Sequence, residues 1–279
     1  MARKLGIQYP GGVCHVMGKP TDLKTRPVRL FPLPNDPQSR LANPSRLRYA
    51  PPVTEETAFL DPLQGCHAGV RAGWVGRVPG LPITGDRDEA MRALRPHHEA
   101  ALAAFGGSPQ HWWRAEQVHG TAVARVPDVA QILAPDGLPA VPGVDGLVTD
   151  QPGLVLAIYV ADCAAIWLAD RMTGAIGLLH SGKNGTAGGI LANALALMAQ
   201  AYGTRSGDVT AVLSPCIRPP EYEVDFAAQI ARQAAEAGIG DFHDRGANTA
   251  TDFSRYYSYR IEKGKTGRMM ALVVRDSPP

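Results

Sequence analysis

Residues 154–186 read LVLAIYVADCAAIWLADRMTGAIGLLHSGKNGT: three apolar runs punctuated by ADC and by DRMTG, then a glycine-rich loop. Leu154–Val160, Ala164–Leu168 and Ala175–His180 are apolar at successive positions, the pattern of central strands in a sheet covered on both faces. SGKNGT ends the third run. Beyond it, Thr186–Tyr202 places Leu191, Leu195, Met198 and Tyr202 on one helical face, with Gly203 as a stop. Downstream, Val209–Leu213 predicts a strand and Phe226–Ala237 an amphipathic helix closed by Gly238. The tail YYSYRIEKGKTGRMMALVV reads as a hairpin turning at EKGKTG. Upstream, Asp86–Gly106 is helical, with Pro96 expected to kink or divide it. Trp112–Val118 reads as a strand ending at His119–Gly120, and Thr121–Val126 as another. No internal repeat is visible. The class is mixed α/β.

Before Gly65 the character changes. Nine prolines fall between Pro10 and Pro52 and no period persists, so residues 1–65 read as an irregular Pro-rich arm and 66–279 as the compact domain. The arm is basic: residues 1–50 carry nine Lys/Arg against two Asp/Glu within a chain of net charge +2. Lacking a basic helix and interleaved aromatics, it argues against a nucleic-acid partner. At 279 residues, 45% hydrophobic and 19% charged, the chain can bury a large core, and coiled-coil, collagen-like and wholly disordered classes are excluded. The longest apolar run, Gly153–Ala169, is interrupted by Asp162 and is short for a bilayer. No membrane span and no secretory leader are therefore expected. Four scattered cysteines (Cys14, Cys66, Cys163, Cys216) suit a reducing compartment, so a cytoplasmic location is the expectation.

Three residues at strand ends can carry chemistry: His119 in EQVHG, Cys163 in VADC and His180 in LLHSGKNG. A thiolate and two imidazoles suit a borderline-soft ion such as Zn²⁺ and leave a fourth position open. Spacings of 44 and 17 residues are no finger motif, and each residue alone also reads as core or structural. Asp162 is a carboxylate inside an apolar run, a costly placement unless it is paired. It is either an acceptor for loop N–H groups or a functional acid/base. Strand alternation would send it away from Cys163 unless the strand bulges. Ser181, Gly182, Lys183, Asn184, Gly185 and Thr186 form a strand-to-helix loop that can cradle an anion, or simply turn the chain. Arg260 in SYR and Arg268 in TGR are candidate anion clamps.

In the order QVHG, VDGLVTD, ADCAAIWLAD, HSGKNGT, SPCIRPPEYEV and YYSYR…TGRMMALVV, these motifs resemble the laccase-domain (YfiH-type) family, over roughly Gly65 to Arg275. The resemblance implies a single mixed-sheet α/β/β/α sandwich-like domain. It also implies zinc held by His119, Cys163 and His180. Family members are described as purine nucleoside enzymes that phosphorolyse adenosine, inosine and methylthioadenosine and deaminate adenosine, and earlier as copper-dependent polyphenol oxidases. Where the family has HAGWRG this chain has HSGKNG, placing Lys183 and Asn184 at the Trp and Arg positions. Leu94-Arg95 stands for the usual Asn-Arg, and a late cysteine is absent around Asn248.

The expectation is thus a zinc-dependent enzyme acting on a purine nucleoside and phosphate, of a divergent subgroup. Asp162 would move the proton, and Lys183, Arg260 and the Ser181–Thr186 loop would hold phosphate. Three alternatives stand beside it: a copper polyphenol oxidase (Cu²⁺ in place of Zn²⁺), for which eight histidines are few; a metal-free Cys–His hydrolase; and a catalytically impaired zinc-binding protein. The oligomeric state is left open.

Overall fold

The three apolar runs become three successive strands, and the layers assemble around them. In the computed structural model, residues 57–66, 69–108 and 111–277 are described. In chain order the elements are α1 (Asp61–Cys66), β1 (Val70–Val75), α2 (Arg87–Ala104), β2 (Trp112–Arg114), β3 (Val123–Arg125), β4 (Ile132–Leu133), β5 (Pro139–Ala140) and β6 (Gly146–Thr149). Then come β7 (Val155–Val160), β8 (Ala164–Asp170), β9 (Ile176–Ser181), α3 (Lys183–Ala187), α4 (Ile190–Tyr202), β10 (Val209–Leu213), α5 (Phe226–Glu236), β11 (Asp241–His243) and β12 (Met269–Arg275).

Two mixed sheets carry the architecture, ordered β1-β12-β7-β2 and β11-β10-β8-β9-β6-β3, with β4-β5 as a small ribbon. Period-two alternation explains how apolar runs serve both faces. Along β12, Met269, Ala271 and Val273 enter the core between the sheets, while Met270, Leu272 and Val274 face α2. Along β8, Ala165, Trp167 and Ala169 point into the same central core, and Ala164, Ile166 and Leu168 point to α4 and α5. The result is helix, sheet, sheet, helix, the α/β/β/α arrangement expected. At its centre Trp167 meets Trp74 and Phe59 edge-on, with centroids 6.0 and 5.7 Å away. Its indole N–H donates to the Leu272 carbonyl at 2.8 Å, tying one sheet to the other.

Several local expectations are corrected. The helix drawn over 186–202 is two helices, because Gly188–Gly189 intervenes with Gly189 at φ +80°. The tail is no hairpin: β12 pairs with β1 and β7, and the residues before it form turns. Those turns are built on Glu262, which binds Arg77 at 2.7 Å and accepts from the Ser258 N–H and the Thr266 hydroxyl. Helix α2 runs through Pro96 undivided. Pro96 and Arg92 are both exposed, so water can serve the carbonyl that proline leaves without a donor. The strands drawn over 112–118 and 121–126 shrink to three residues each. Residues 57–65 were drawn into the arm, yet Phe59, Leu60 and Leu63 are buried in the central core. Residues 1–56 lie outside the described residues.

Candidate metal centre and its cavity

Sheet register closes the gap between Cys163 and His180. Strands β8 and β9 are antiparallel, with Ala164 opposite Ser181 and Ala165 opposite His180. The start of one therefore meets the end of the other, and Cys163 faces Gly182 across the last step. A Cβ at Gly182 would sit 2.5 Å from the Cys163 sulfur, so only glycine fits. On the other flank β9 pairs with β6, and the residue before β6 is Asp145. Its carboxylate accepts from the backbone N–H of His119 (2.9 Å) and Gly120 (2.7 Å), which folds the EQVHG loop back over the sheet.

One ligand atom each from His119, Cys163 and His180 comes within 4.8 Å of the others. The two imidazoles stand edge-to-face, 4.8 Å between centroids. A tetrahedral ion with nitrogen and sulfur ligands separates them by about 3.3–3.7 Å, so a slight closure completes the set. His180 gives Nδ1 to Asp145 Oδ1 at 2.7 Å, which leaves Nε2 for the centre and fixes the ring, as outer carboxylates do in metal sites. Donor chemistry, spacing and this support all fit a divalent ion. Burial pushes the Cys163 thiol up, but hydrogen bonds from both imidazoles outweigh it and bring the thiol down to about 6. Burial pulls His180 down; Asp145 and Cys163 more than reverse this and raise it to about 9. Asp145 itself is pushed up by burial yet ends below the ordinary carboxylate range, held there by His180 and the two amides.

The trio lies on the wall of a cavity of about 820 Å³. Asp162 shares that wall, but not through a bulge: it sits in the turn between β7 and β8 at φ +78°, a left-handed conformation outside either strand. Oδ1 accepts from the Thr249 hydroxyl and Oδ2 from the Arg260 N–H, both at 2.7 Å, the geometry of the acceptor alternative. Its carbonyl accepts from Ile217 N–H at 2.9 Å. Of the SGKNGT loop, Lys183 and Asn184 line the cavity. Ser181, Gly182, Gly185 and Thr186 are buried, and the Ser181 and Thr186 hydroxyls bond one another at 2.7 Å. Arg260 reaches the cavity, paired with Glu223 at 3.0 Å and lying over the Tyr222 ring.

Sequence spacing did not single out Asp145 or Gln117. The Gln117 side chain copies a strand partner, donating to the Tyr159 carbonyl (2.6 Å) and accepting from its N–H (2.9 Å). Asp145 was visible only as the acid of VDG, and Gln117 as the polar residue of QVHG. Four non-glycine residues have positive φ among the described residues: Gln117, His119, Asp162 and Lys263. All four line this cavity. Backbone strain of that kind gathers at functional sites.

Residues 82–229 and 221–276 match the family model described as multi-copper polyphenol oxidoreductase laccase. The chain is 30% identical over 260 residues to purine nucleoside phosphorylase YlmD of Geobacillus stearothermophilus, covering 81% of this chain and 92% of that protein. It is 33% identical over 235 residues to the purine nucleoside phosphorylase of Deinococcus radiodurans, covering 73% and 86%. The crystal structure of YlmD from Geobacillus stearothermophilus superposes with a TM-score of 0.60 at 26% identity, covering 76% of this chain and 94% of that one. The Bacillus licheniformis hypothetical protein YfiH shares the fold, with a TM-score of 0.63 at 22% identity over 74% of this chain and 93% of its own.

Proposed function

This chain belongs to the multi-copper polyphenol oxidoreductase laccase family, and on that premise we propose that it is a zinc-dependent purine nucleoside phosphorylase. Adenosine deamination is a second reaction of the same site. The observation that carries the reading is the gathering of His119, Cys163 and His180 on one cavity wall, in a chain whose relatives are named for nucleoside phosphorolysis. A bound ion supplies Lewis acidity at that wall. In phosphorolysis a phosphate oxygen bonds to ribose C1′ while the glycosidic bond breaks and the base leaves with a proton. Tyr222, Phe226 and Tyr259 give the cavity aromatic surface against which a purine ring packs. Lys183 and Asn184 offer polar contacts, and Arg260 is anchored through its backbone by Asp162. Among the described residues Asp162 is the one carboxylate on the wall and, besides accepting from Thr249 and Arg260, the proposed proton-transfer group.

Among the described residues no helix is long and apolar enough to cross a membrane; a cytoplasmic enzyme handling small molecules is the proposal. The test is product analysis: zinc-loaded protein given inosine or adenosine with phosphate should release free base and ribose 1-phosphate. Zinc-loaded protein that consumes neither would overturn the reading. Copper-dependent phenol oxidation is separated from it by metal analysis of protein purified without added copper.

The His180–Asp145 pair beside Cys163 also suits a Cys–His hydrolase. Cys163→Ser separates the two. Loss of metal supports the zinc reading, whereas unchanged metal content with abolished alkylation by iodoacetamide supports the hydrolase.

A further inference from the structure

Among the described residues, five basic side chains line the cavity (Arg87, Lys183, Arg260, Lys263 and Arg268) against the single carboxylate of Asp162. They are not equivalent. Arg260 already has a carboxylate partner in Glu223. Lys183 and Lys263 are point charges on flexible stems and cannot bind an oxyanion in a fork. Arg268 differs from all of these. It is half-buried just before β12 with its guanidinium over the Tyr259 ring, and no carboxylate pairs with it among the described residues. Its Nη1 donates to its neighbours' carbonyls, Thr266 (3.1 Å) and Gly267 (2.9 Å). Among the described residues no acceptor takes Nε or Nη2, so the edge of the planar fork that these two share makes no hydrogen bond there.

Arg87 faces the same cavity from the first position of α2, where its one side-chain hydrogen bond among the described residues is long, 3.4 Å to the Glu116 carbonyl. Its charge, added to burial, makes Arg268 hold its proton less tightly than a free arginine. A partly desolvated cation beside a like charge is costly, and an oxyanion that both arginines reach offsets that cost. The scaffold is stiff at both ends. His98 Nε2 lies 3.1 Å from the Arg268 carbonyl, and Asp86 caps α2 by accepting from Glu89 N–H at 3.0 Å.

We infer that Arg87 and Arg268 form the oxyanion subsite of this cavity, one that takes inorganic phosphate through the free edge of the Arg268 fork. The inference rests on the phosphorolysis reading for its ligand but not for its geometry. A nucleoside 5′-monophosphate presents the same chemistry, so both are tested. Binding of inorganic phosphate, and separately of adenosine 5′-monophosphate, is measured by titration calorimetry at constant ionic strength on the metal-loaded full chain.

Wild-type protein should bind inorganic phosphate. Arg268→Gln and Arg87→Gln should each weaken it by about tenfold or more, the loss expected for a charge-assisted hydrogen bond. Arg268→Lys should recover only part, since ammonium cannot bind in a fork. Arg87 is exposed, so its variant keeps the test valid should Arg268→Gln fold poorly. Wild-type protein that binds phosphate with these losses but consumes no nucleoside would sink the phosphorolysis reading and leave the subsite standing. The subsite is overturned if wild type binds no phosphate, if the Arg variants bind it as wild type does, or if only the monophosphate responds to them.

Discussion

Asp145 holds the candidate centre together although it does not line the cavity. Fully buried, it fixes the His180 ring through Nδ1 and pins the EQVHG loop through two backbone amides. Outer carboxylates of this kind are worth about 10–100-fold in metal affinity. Asp145→Asn should lower zinc affinity by that factor while the far-ultraviolet circular dichroism stays native, which metal-competition titration checks. His98 gives a second residue-level expectation. Burial holds it down to about 4, only partly relieved by the Arg268 carbonyl. An unfolded histidine titrates near 6.5. Above that pH both states are neutral and no difference arises. Between about 6.5 and 4 the unfolded chain binds more protons, so stability falls as the pH falls, by up to about 3 kcal/mol. Urea unfolding from pH 7 to 4 should show this slope, and His98→Gln should flatten it.

At the scale of elements, α2 is the one that carries a removable defect. Pro96 lies in its exposed interior and leaves the Arg92 carbonyl without a helical donor. Pro96→Ala should stabilise the protein by about 1–3 kcal/mol, less whatever proline gained by stiffening the unfolded chain. A rise in melting temperature checks it; an unchanged or lower value would show that the turn depends on the fixed φ of proline. Elements with strong local patterning were legible. β7, β8, β9, β10 and α5 fall within a residue or two of their expected bounds, since apolar runs and a capping Asp225 act locally. Strand β1 and the short β6 and β11 were not. β1 is broken by Arg71 and Gly73, β6 and β11 have only four and three residues, and their pairing partners are remote in sequence. The expected tail hairpin failed for the same reason: adjacency in sequence argued for pairing within the tail, but β1 and β7 offered β12 two long partners.

For the whole molecule the central layer decides stability. Trp167 is fully buried where both sheets meet, and its indole also bonds the opposite sheet. Trp167→Ala should cost about 3–5 kcal/mol, the range for removing a large aromatic from a core. Chemical denaturation in the presence of saturating zinc checks it with metal content held constant. By itself the sequence determined the mixed α/β class and the central apolar strands, because period-two and period-3.6 apolar spacing dictates which faces must leave water; the α/β/β/α layering followed from the resemblance to the laccase-domain family. The sequence also supplied the three donors of the candidate metal centre, since thiol and imidazole chemistry belongs to the residue. Only the tertiary structure decided that these donors meet, because antiparallel register between β8 and β9 and the Asp145 clamp act across long loops. It likewise decided which cations on the cavity wall are already matched by carboxylates. Charge pairing depends on distance through space, which no spacing along the chain records.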